Sequence, residues 1–345
     1  MKLKSILFFG TTFLLMSFVF RQSYEWFNPP IYFPKPVYDF NQNPFDSSKI
    51  NLGRILFYDP ILSKDNSISC ASCHSPYNAF AHTDHDLSHG IFDSIGNRNA
   101  PALFNLAWQK SFMWDGAINH LDVQALAPIS HPKEMGSDIS EVIKKLSLSK
   151  EYKQLFFEAF KDSTITSSKI LKALSQFQLT LVSANSKYDK VKLGKEEFTE
   201  QEKNGYQLFK NNCASCHIEP IFSNFIFENN GLPLDPTLND FGRYEITQRE
   251  NDQRKFKVPS LRNLSYTYPY MHDGRFMTLK EVVNHYTSGV EKSNTLSTHL
   301  NKPIQLSTND KVDLIAFLLT LNDKDFVFDK KHQFKNFSIQ TKEKK

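Results

Sequence analysis

Two short stretches constrain this chain more than anything else in it: Cys70-Ala-Ser-Cys-His74 and Cys213-Ala-Ser-Cys-His217. Each is a C-x-x-C-H run, the pattern through which a c-type haem is attached. Two thiols three positions apart reach the two vinyl groups of one porphyrin, and the histidine that follows turns its imidazole onto the iron. The chain has 4 cysteines and the two motifs use them all, so no thiol remains for a structural disulfide. A zinc ribbon also uses paired C-x-x-C, but it needs no histidine after each pair, and its halves do not normally stand 143 residues apart. The expectation is two covalently bound c-type haems. One is held by Cys70, Cys73 and His74, the other by Cys213, Cys216 and His217.

A length of 345 residues suggests about two domains. Only 12 residues are glycine while 31 are phenylalanine, which with long amphipathic runs favours helices over a turn-rich sheet protein. The expected fold class is therefore all-α: two cytochrome c-like haem domains behind an N-terminal signal or anchor and an extended arm. The formal net charge of +4 is mild and does not point to nucleic acid. Lys2 and Lys4 precede an apolar run from Ile6 to Phe20, an export signal that is short for a membrane span of about 20 residues. Cleaved signal and retained membrane tether are both open over residues 1–22. Either way the rest is exported to the periplasm, where c-type attachment is normally completed.

Residues 23–45 are aromatic and proline-rich and read as an arm over the first domain. The first haem domain spans 46–192. Leu52, Ile55 and Leu56 mark a short helix before the first motif, and three apolar stripes mark helices between Glu141 and Lys190. The charged stretch Lys187–Lys195 reads as the boundary. A second haem domain, 193–330, opens with Thr199-Glu-Gln-Glu202, a capping box, and closes with an amphipathic helix from Thr308. Residues 331–345 read as a polar, solvated tail.

The chain repeats itself. Ala100-Pro-Ala-Leu-Phe-Asn-Leu106 aligns with Val258-Pro-Ser-Leu-Arg-Asn-Leu264 at an offset of 158, as do Met113-Trp-Asp-Gly116 with Met271-His-Asp-Gly274 and Leu121 with Leu279. A duplicated haem domain is the expectation, with Trp114 of the first half facing His272 of the second.

A haem with an open face can bind peroxide, whereas one closed by two strong ligands transfers electrons. Cleaving the O–O bond needs a group that carries a proton from one oxygen to the other. Glu134 is the best carboxylate for this near the first motif, and Gln124 could hold the bound oxygen. Taken alone, Glu134 is as readily a solvated loop charge. His82, His85 and His89 follow the first motif closely, and any could cap the iron or simply sit at the surface. Trp114 is a core aromatic or a stepping stone for electrons.

The run Leu52-Gly…Leu56-Phe57…Asp59…Leu62-Ser63…Ile68-Ser-Cys-Ala-Ser-Cys-His74, with Arg98-Asn-Ala-Pro101, Trp114-Asp-Gly116, Gln124, Pro128-Ile129 and Glu134-Met135, resembles the bacterial dihaem cytochrome c peroxidases and the related MauG-type enzymes. The resemblance covers residues 45–322. It implies that the first haem is peroxidatic, with His74 proximal and His89 as the distal histidine that leaves on activation. It implies Glu134 as acid/base, Gln124 beside it, Pro128 in the distal pocket and Trp114 between the haems. It also implies one Ca2+ at the domain interface, bound by Asn99, Thr267 and Pro269, the last two through carbonyls. A hard cation suits such oxygens.

For the second haem the resemblance implies His217 as proximal ligand. Where the peroxidases have a ligating methionine, this chain has Tyr286, as MauG-type enzymes do. The repeat makes Tyr286 the counterpart of Pro128. A thioether favours Fe(II), whereas a phenolate favours the oxidised iron. Met271, Met277, His285 or no ligand at all remain alternatives.

The expected activity is reduction of hydrogen peroxide to water with electrons from a small redox protein, a cytochrome c or cupredoxin. A MauG-type oxidase acting on a protein or small molecule is the alternative, and a non-catalytic dihaem electron carrier a third. Family resemblance also raises a homodimer.

Overall fold

The computed structural model describes residues 26–334. The expected signal or anchor over 1–22 lies outside the described residues. So does most of the tail. No helix among the described residues is long and apolar enough to cross a membrane.

The principal helices are α1 (Ser47–Tyr58), α2 (Ile139–Leu148), α3 (Lys150–Phe160), α4 (Ser167–Leu179), α5 (Lys187–Lys192), α6 (Glu200–Asn212), α7 (Leu279–Asn284), α8 (Thr308–Leu319) and α9 (Lys324–Val327). Sheet among the described residues is confined to two two-residue antiparallel strands, β1 (Phe227–Glu228) and β2 (Phe256–Lys257), with Phe227 opposite Lys257. Helix starts follow local chemistry. Asp46 accepts the N–H groups of Ser48 and Lys49, and Thr199 and Glu202 close the expected box on α6.

Each half is built on a crossing of its first and last long helices. In the first, Gly53 of α1 lies so close to α4 that a β-carbon would overlap the Ala173 carbonyl, with Phe177 beside it. In the second, Gly205 of α6 meets the Asp313 carbonyl of α8 in the same way, beside Phe317. Leu52, Leu56, Phe57, Leu174 and Phe177 fill the first core; Phe209, Phe222, Leu314 and Phe317 fill the second.

Backbone geometry recurs at the offset of 158 found in the sequence. Asn105 and Asn263 have φ of 55° and 64°, Met113 and Met271 have 67° and 77°, and Gly116 and Gly274 have 72° and 69°. All six lie in the left-handed region, which non-glycine residues rarely occupy. The bridge Phe112–Ile118 likewise recurs as Tyr270–Phe276.

The arm packs as a strap. Val37 and Tyr38 both donate to the Ala107 carbonyl, and the Trp108 indole donates to the Pro34 carbonyl at 2.8 Å. Tyr32 reaches further and donates to Asp189 at 2.6 Å.

The charged stretch at 187–195, where the boundary was expected, folds in part into α5, whose Tyr188 and Asp189 are fully buried, and Asp189 pairs with the equally buried Arg262 at 2.7 Å and 2.8 Å. One expectation needs correcting: the chain does not stay with the second core to residue 330, and the start of the tail is not solvated. Phe326 and Val327 of α9 enter the first core, Phe326 packing on Phe80 and Phe104. His332 is buried against Phe80, and its carbonyl accepts the Tyr58 hydroxyl at 2.6 Å. Aromatic surface on the first half outweighs the polarity of the tail.

Candidate functional site

Both C-x-x-C-H motifs are wound in the same way. The His74 N–H donates to the Cys70 carbonyl and the His217 N–H to the Cys213 carbonyl, each at 2.9 Å. Each imidazole is then fixed through its Nδ1, His74 to the Phe80 carbonyl at 2.9 Å and His217 to the Phe222 carbonyl at 3.1 Å. A ring that donates from Nδ1 presents a lone pair at Nε2, the state a metal ligand requires. Burial pushes both histidines down to about 4, so they are neutral and ready to ligate. A main-chain carbonyl fixes the tautomer in each half, six residues after His74 and five after His217.

A continuous cavity of about 590 Å³ joins the two motifs. Cys73, His74, Gln124, Pro128 and Glu134 line one end, and Cys213, Cys216, His217, Met271 and Tyr286 the other, with Trp114, Arg98 and Lys257 between. Cys73 beside His74 at one end of so large a cleft, and Cys213 and Cys216 beside His217 at the other, fit two covalently attached haems. These residues suit no zinc site: among the described residues no group of three or more His, Cys, Asp or Glu side chains stands ready for a metal.

At the first end, burial raises the Glu134 carboxyl above its ordinary range, and the nearby His131, at 3.8 Å, works against that. A carboxyl whose proton affinity is raised by burial is suited to taking a proton and returning it. Gln124 is buried, its amide 3.7 Å from the Met113 sulfur. Trp114 donates from its indole to the Asn99 carbonyl at 2.9 Å. Glu134, Gln124, Pro128 and Trp114 thus share one cavity wall system with His74.

His89 does not join them. Its backbone pairs with Ile95, its carbonyl receives the Cys73 thiol at 3.5 Å, and its ring stacks on His85 with centroids 4.0 Å apart. The ring is not among the side chains that line the cavity. The hairpin pairing turns the side chain toward its loop neighbour.

At the second end Tyr286 faces the cavity from the turn after α7, as its counterpart Pro128 does at the first. Burial pushes the Tyr286 phenol up to about 12, so only a strong Lewis acid beside it would hold it as phenolate. Of the alternatives, Met277 is exposed and His285 is tied through Nε2 to the Asn230 carbonyl at 3.0 Å. Met271 lines the cavity but accepts the Asn230 amide. Asn99, Thr267 and Pro269 also line the cavity.

Sequence reasoning missed the charged junction between the two ends. Arg98 donates to Asp240 at 2.6 Å and 2.8 Å and also pairs with Asp115. Arg98 and Asp115 stand in the two motifs quoted above, but nothing local in the sequence joins them to Asp240.

A family model described as di-haem cytochrome c peroxidase matches residues 47–197, and one described as cytochrome c matches 202–322. The methylamine utilization protein MauG of Methylophilus methylotrophus is 36% identical over 86% of this chain and 88% of its own length. The chain belongs to the dihaem cytochrome c peroxidase and MauG family. Within that family the cytochrome c551 peroxidase of Nitrosomonas europaea is 35% identical, over 81% of each chain. A solved MauG-like protein associated with microbial copper homeostasis superposes with a TM-score of 0.79 at 31% identity, over 89% of this chain and 98% of that one. This dihaem peroxidase/MauG chain therefore carries haem on two cytochrome c-like domains and is an oxidoreductase.

Proposed function

We propose that this protein reduces hydrogen peroxide to water at the first haem site, drawing electrons from a small exported cytochrome c or cupredoxin. The observation that carries the reading is the meeting of Glu134, Gln124, Pro128 and Trp114 in one cavity with Cys73 and His74. A bound haem supplies the iron at which the O–O bond is cleaved. Glu134 takes the proton from the inner peroxide oxygen and returns it to the outer one, which leaves as water. Gln124 would orient peroxide in the cavity through its amide. Two electrons and two protons complete the conversion to two water molecules. Trp114, fixed through its indole to Asn99, stands between the two ends of the cavity and favours passage of electrons from the second site.

The export reading rests on the apolar run at 6–20 and on haem attachment through C-x-x-C-H. A Ca2+ bound by Asn99, Thr267 and Pro269 remains part of the proposal. So do descent of the two halves from one duplicated domain and a homodimer.

Tyr286 favours a second reading, a MauG-type oxidase. A phenolate ligand would make the second haem a low-potential partner that shares oxidising equivalents.

Steady-state assays with peroxide and reduced cytochrome c separate the readings. Turnover at roughly tens per second supports the peroxidase. Peroxide consumption that ignores cytochrome c but oxidises a protein or small molecule supports the oxidase, and no peroxide consumption leaves only an electron carrier.

A further inference from the structure

The cavity lining is charged, and among the described residues two of its Lys and Arg side chains, Arg98 and Arg262, are paired with carboxylates, Arg262 with Asp189. Arg98 is matched by Asp240 and Asp115, with Glu245 at 3.5 Å. Arg243 donates to the Asp115 carbonyl at 2.9 Å and covers the Phe227 ring at 3.9 Å. His272 stacks on Phe256 with centroids 3.6 Å apart, and burial pushes it down to about 4, leaving it neutral.

Lys257 differs. Its Nζ donates to the Gln109 side-chain oxygen and the Ser111 carbonyl, both at 2.8 Å and both uncharged. An ammonium has three donors, and among the described residues the third meets no oxygen acceptor, only the Phe112 ring with its centroid 5.8 Å away, and no carboxylate makes an ion pair with Lys257. The nearest acid acting on it, Asp115, is engaged by Arg98. Glu228, on the strand paired with β2, lines the same cavity without contacting it. Burial lowers the Lys257 amine to about 7, the expected response of a cation placed here without a counter-charge.

Position sharpens the point. Lys257 is the repeat counterpart of Asn99, and both donate their backbone N–H across the junction at 2.7 Å. One of two equivalent places carries a cation, and the other a neutral amide. The cofactor that fits this cavity brings anionic carboxylates on its porphyrin edge.

We propose that the Lys257 ammonium, held by Gln109 and Ser111 at mid-cavity, is the counter-ion of a porphyrin carboxylate and raises the reduction potential of that haem. The proposal rests on the two-haem reading and is independent of whether the enzyme is a peroxidase or an oxidase. A fixed cation beside the porphyrin stabilises the reduced iron, which carries one positive charge fewer. Removing the cation favours the oxidised form.

The test is spectroelectrochemical titration of both haems in the holoprotein without peroxide, for wild type, Lys257→Met and Lys257→Arg, with haem stoichiometry measured in each. Lys257→Met should lower one midpoint by at least tenfold in the reduction equilibrium, about 59 mV for one electron, and shift the other less. Lys257→Arg should stay near wild type. Two unchanged midpoints in a two-haem Lys257→Met protein overturn the proposal, as does an equal shift in Lys257→Arg, which would mean packing and not charge. If Lys257→Met loads fewer than two haems, Lys257→Gln, which keeps a polar head for Gln109 and Ser111, takes its place with the same criteria. Because no turnover is measured, failure here leaves the proposed activity untouched.

Discussion

The backbone N–H of Asn99 donates to the carbonyl of His272 at 2.7 Å. The bond has a twin, from Lys257 to the Trp114 carbonyl, also at 2.7 Å. Each pair lies 158 positions from the other, so the halves meet face to face through equivalent backbone groups. Trp114 is fastened twice, by its carbonyl to the second half and by its indole to Asn99 of the first. The two bonds fix the ring at the junction of the halves.

Glu134 should impose the acid limb of activity. It must be ionised to take the first proton, and burial raises its carboxyl. The kcat/KM profile should therefore fall as pH drops through a value above the ordinary carboxylate range. Glu134→Gln should remove that limb and lower kcat by about 100-fold or more, with the resting haem spectrum unchanged. Steady-state kinetics across pH checks this. Turnover within twofold of wild type would take Glu134 out of the mechanism.

The Asp189–Arg262 pair should dominate the stability of the junction between α5 and the second core. Both side chains are fully buried, and Arg262 also donates to the Pro220 carbonyl. Breaking it with Asp189→Asn or Arg262→Met should cost about 3–5 kcal/mol in denaturant unfolding of the holoprotein. The pH dependence has a definite sign. Burial alone would raise the Asp189 carboxyl, but Arg262 and Tyr32 outweigh it and hold it below the usual range. Its contribution is present above the unfolded-state carboxylate value and is lost as pH falls through the depressed folded one. Asp189→Asn should flatten that acid decline.

Gly205→Ala should disrupt the second half selectively. The new methyl would enter the Asp313 carbonyl of α8, and two packed helix backbones cannot yield as a flexible side chain would. The expected loss is about 1–3 kcal/mol or more, read as a lower midpoint for the spectral change of the second haem on heating. A midpoint equal to wild type would mean that the crossing can open at no cost.

What the sequence carried and what it withheld divide along range of interaction. The C-x-x-C-H motifs, the Thr199–Glu202 box and the apolar stripes of α2, α3 and α4 are local patterns with local causes. The 158-residue offset was legible because a seven-residue stretch of one half matches one in the other at four positions. The Arg98–Asp240 and Asp189–Arg262 pairs join residues 142 and 73 positions apart, and the docking of His332 on Tyr58 spans 274. No local pattern marks such partners.

Tyr286→Phe should alter the second haem and spare the first. The phenol faces the cavity beside Cys213 and Cys216, and its counterpart Pro128 has no group able to ligate. If the phenolate closes the second iron, the variant loses an anionic ligand. Its low-spin electron paramagnetic resonance signal should move or vanish, and its potential should rise because an anion no longer favours the oxidised state. The first haem's signal and its two-haem stoichiometry should persist. Met271, whose thioether lines the cavity with Tyr286, makes a second variant informative: Met271→Leu should leave the low-spin signal in place if Tyr286 ligates, and abolish it if the thioether does. Unchanged low-spin signals in Tyr286→Phe would exclude the phenolate, and with it the main reason to prefer an oxidase over a peroxidase.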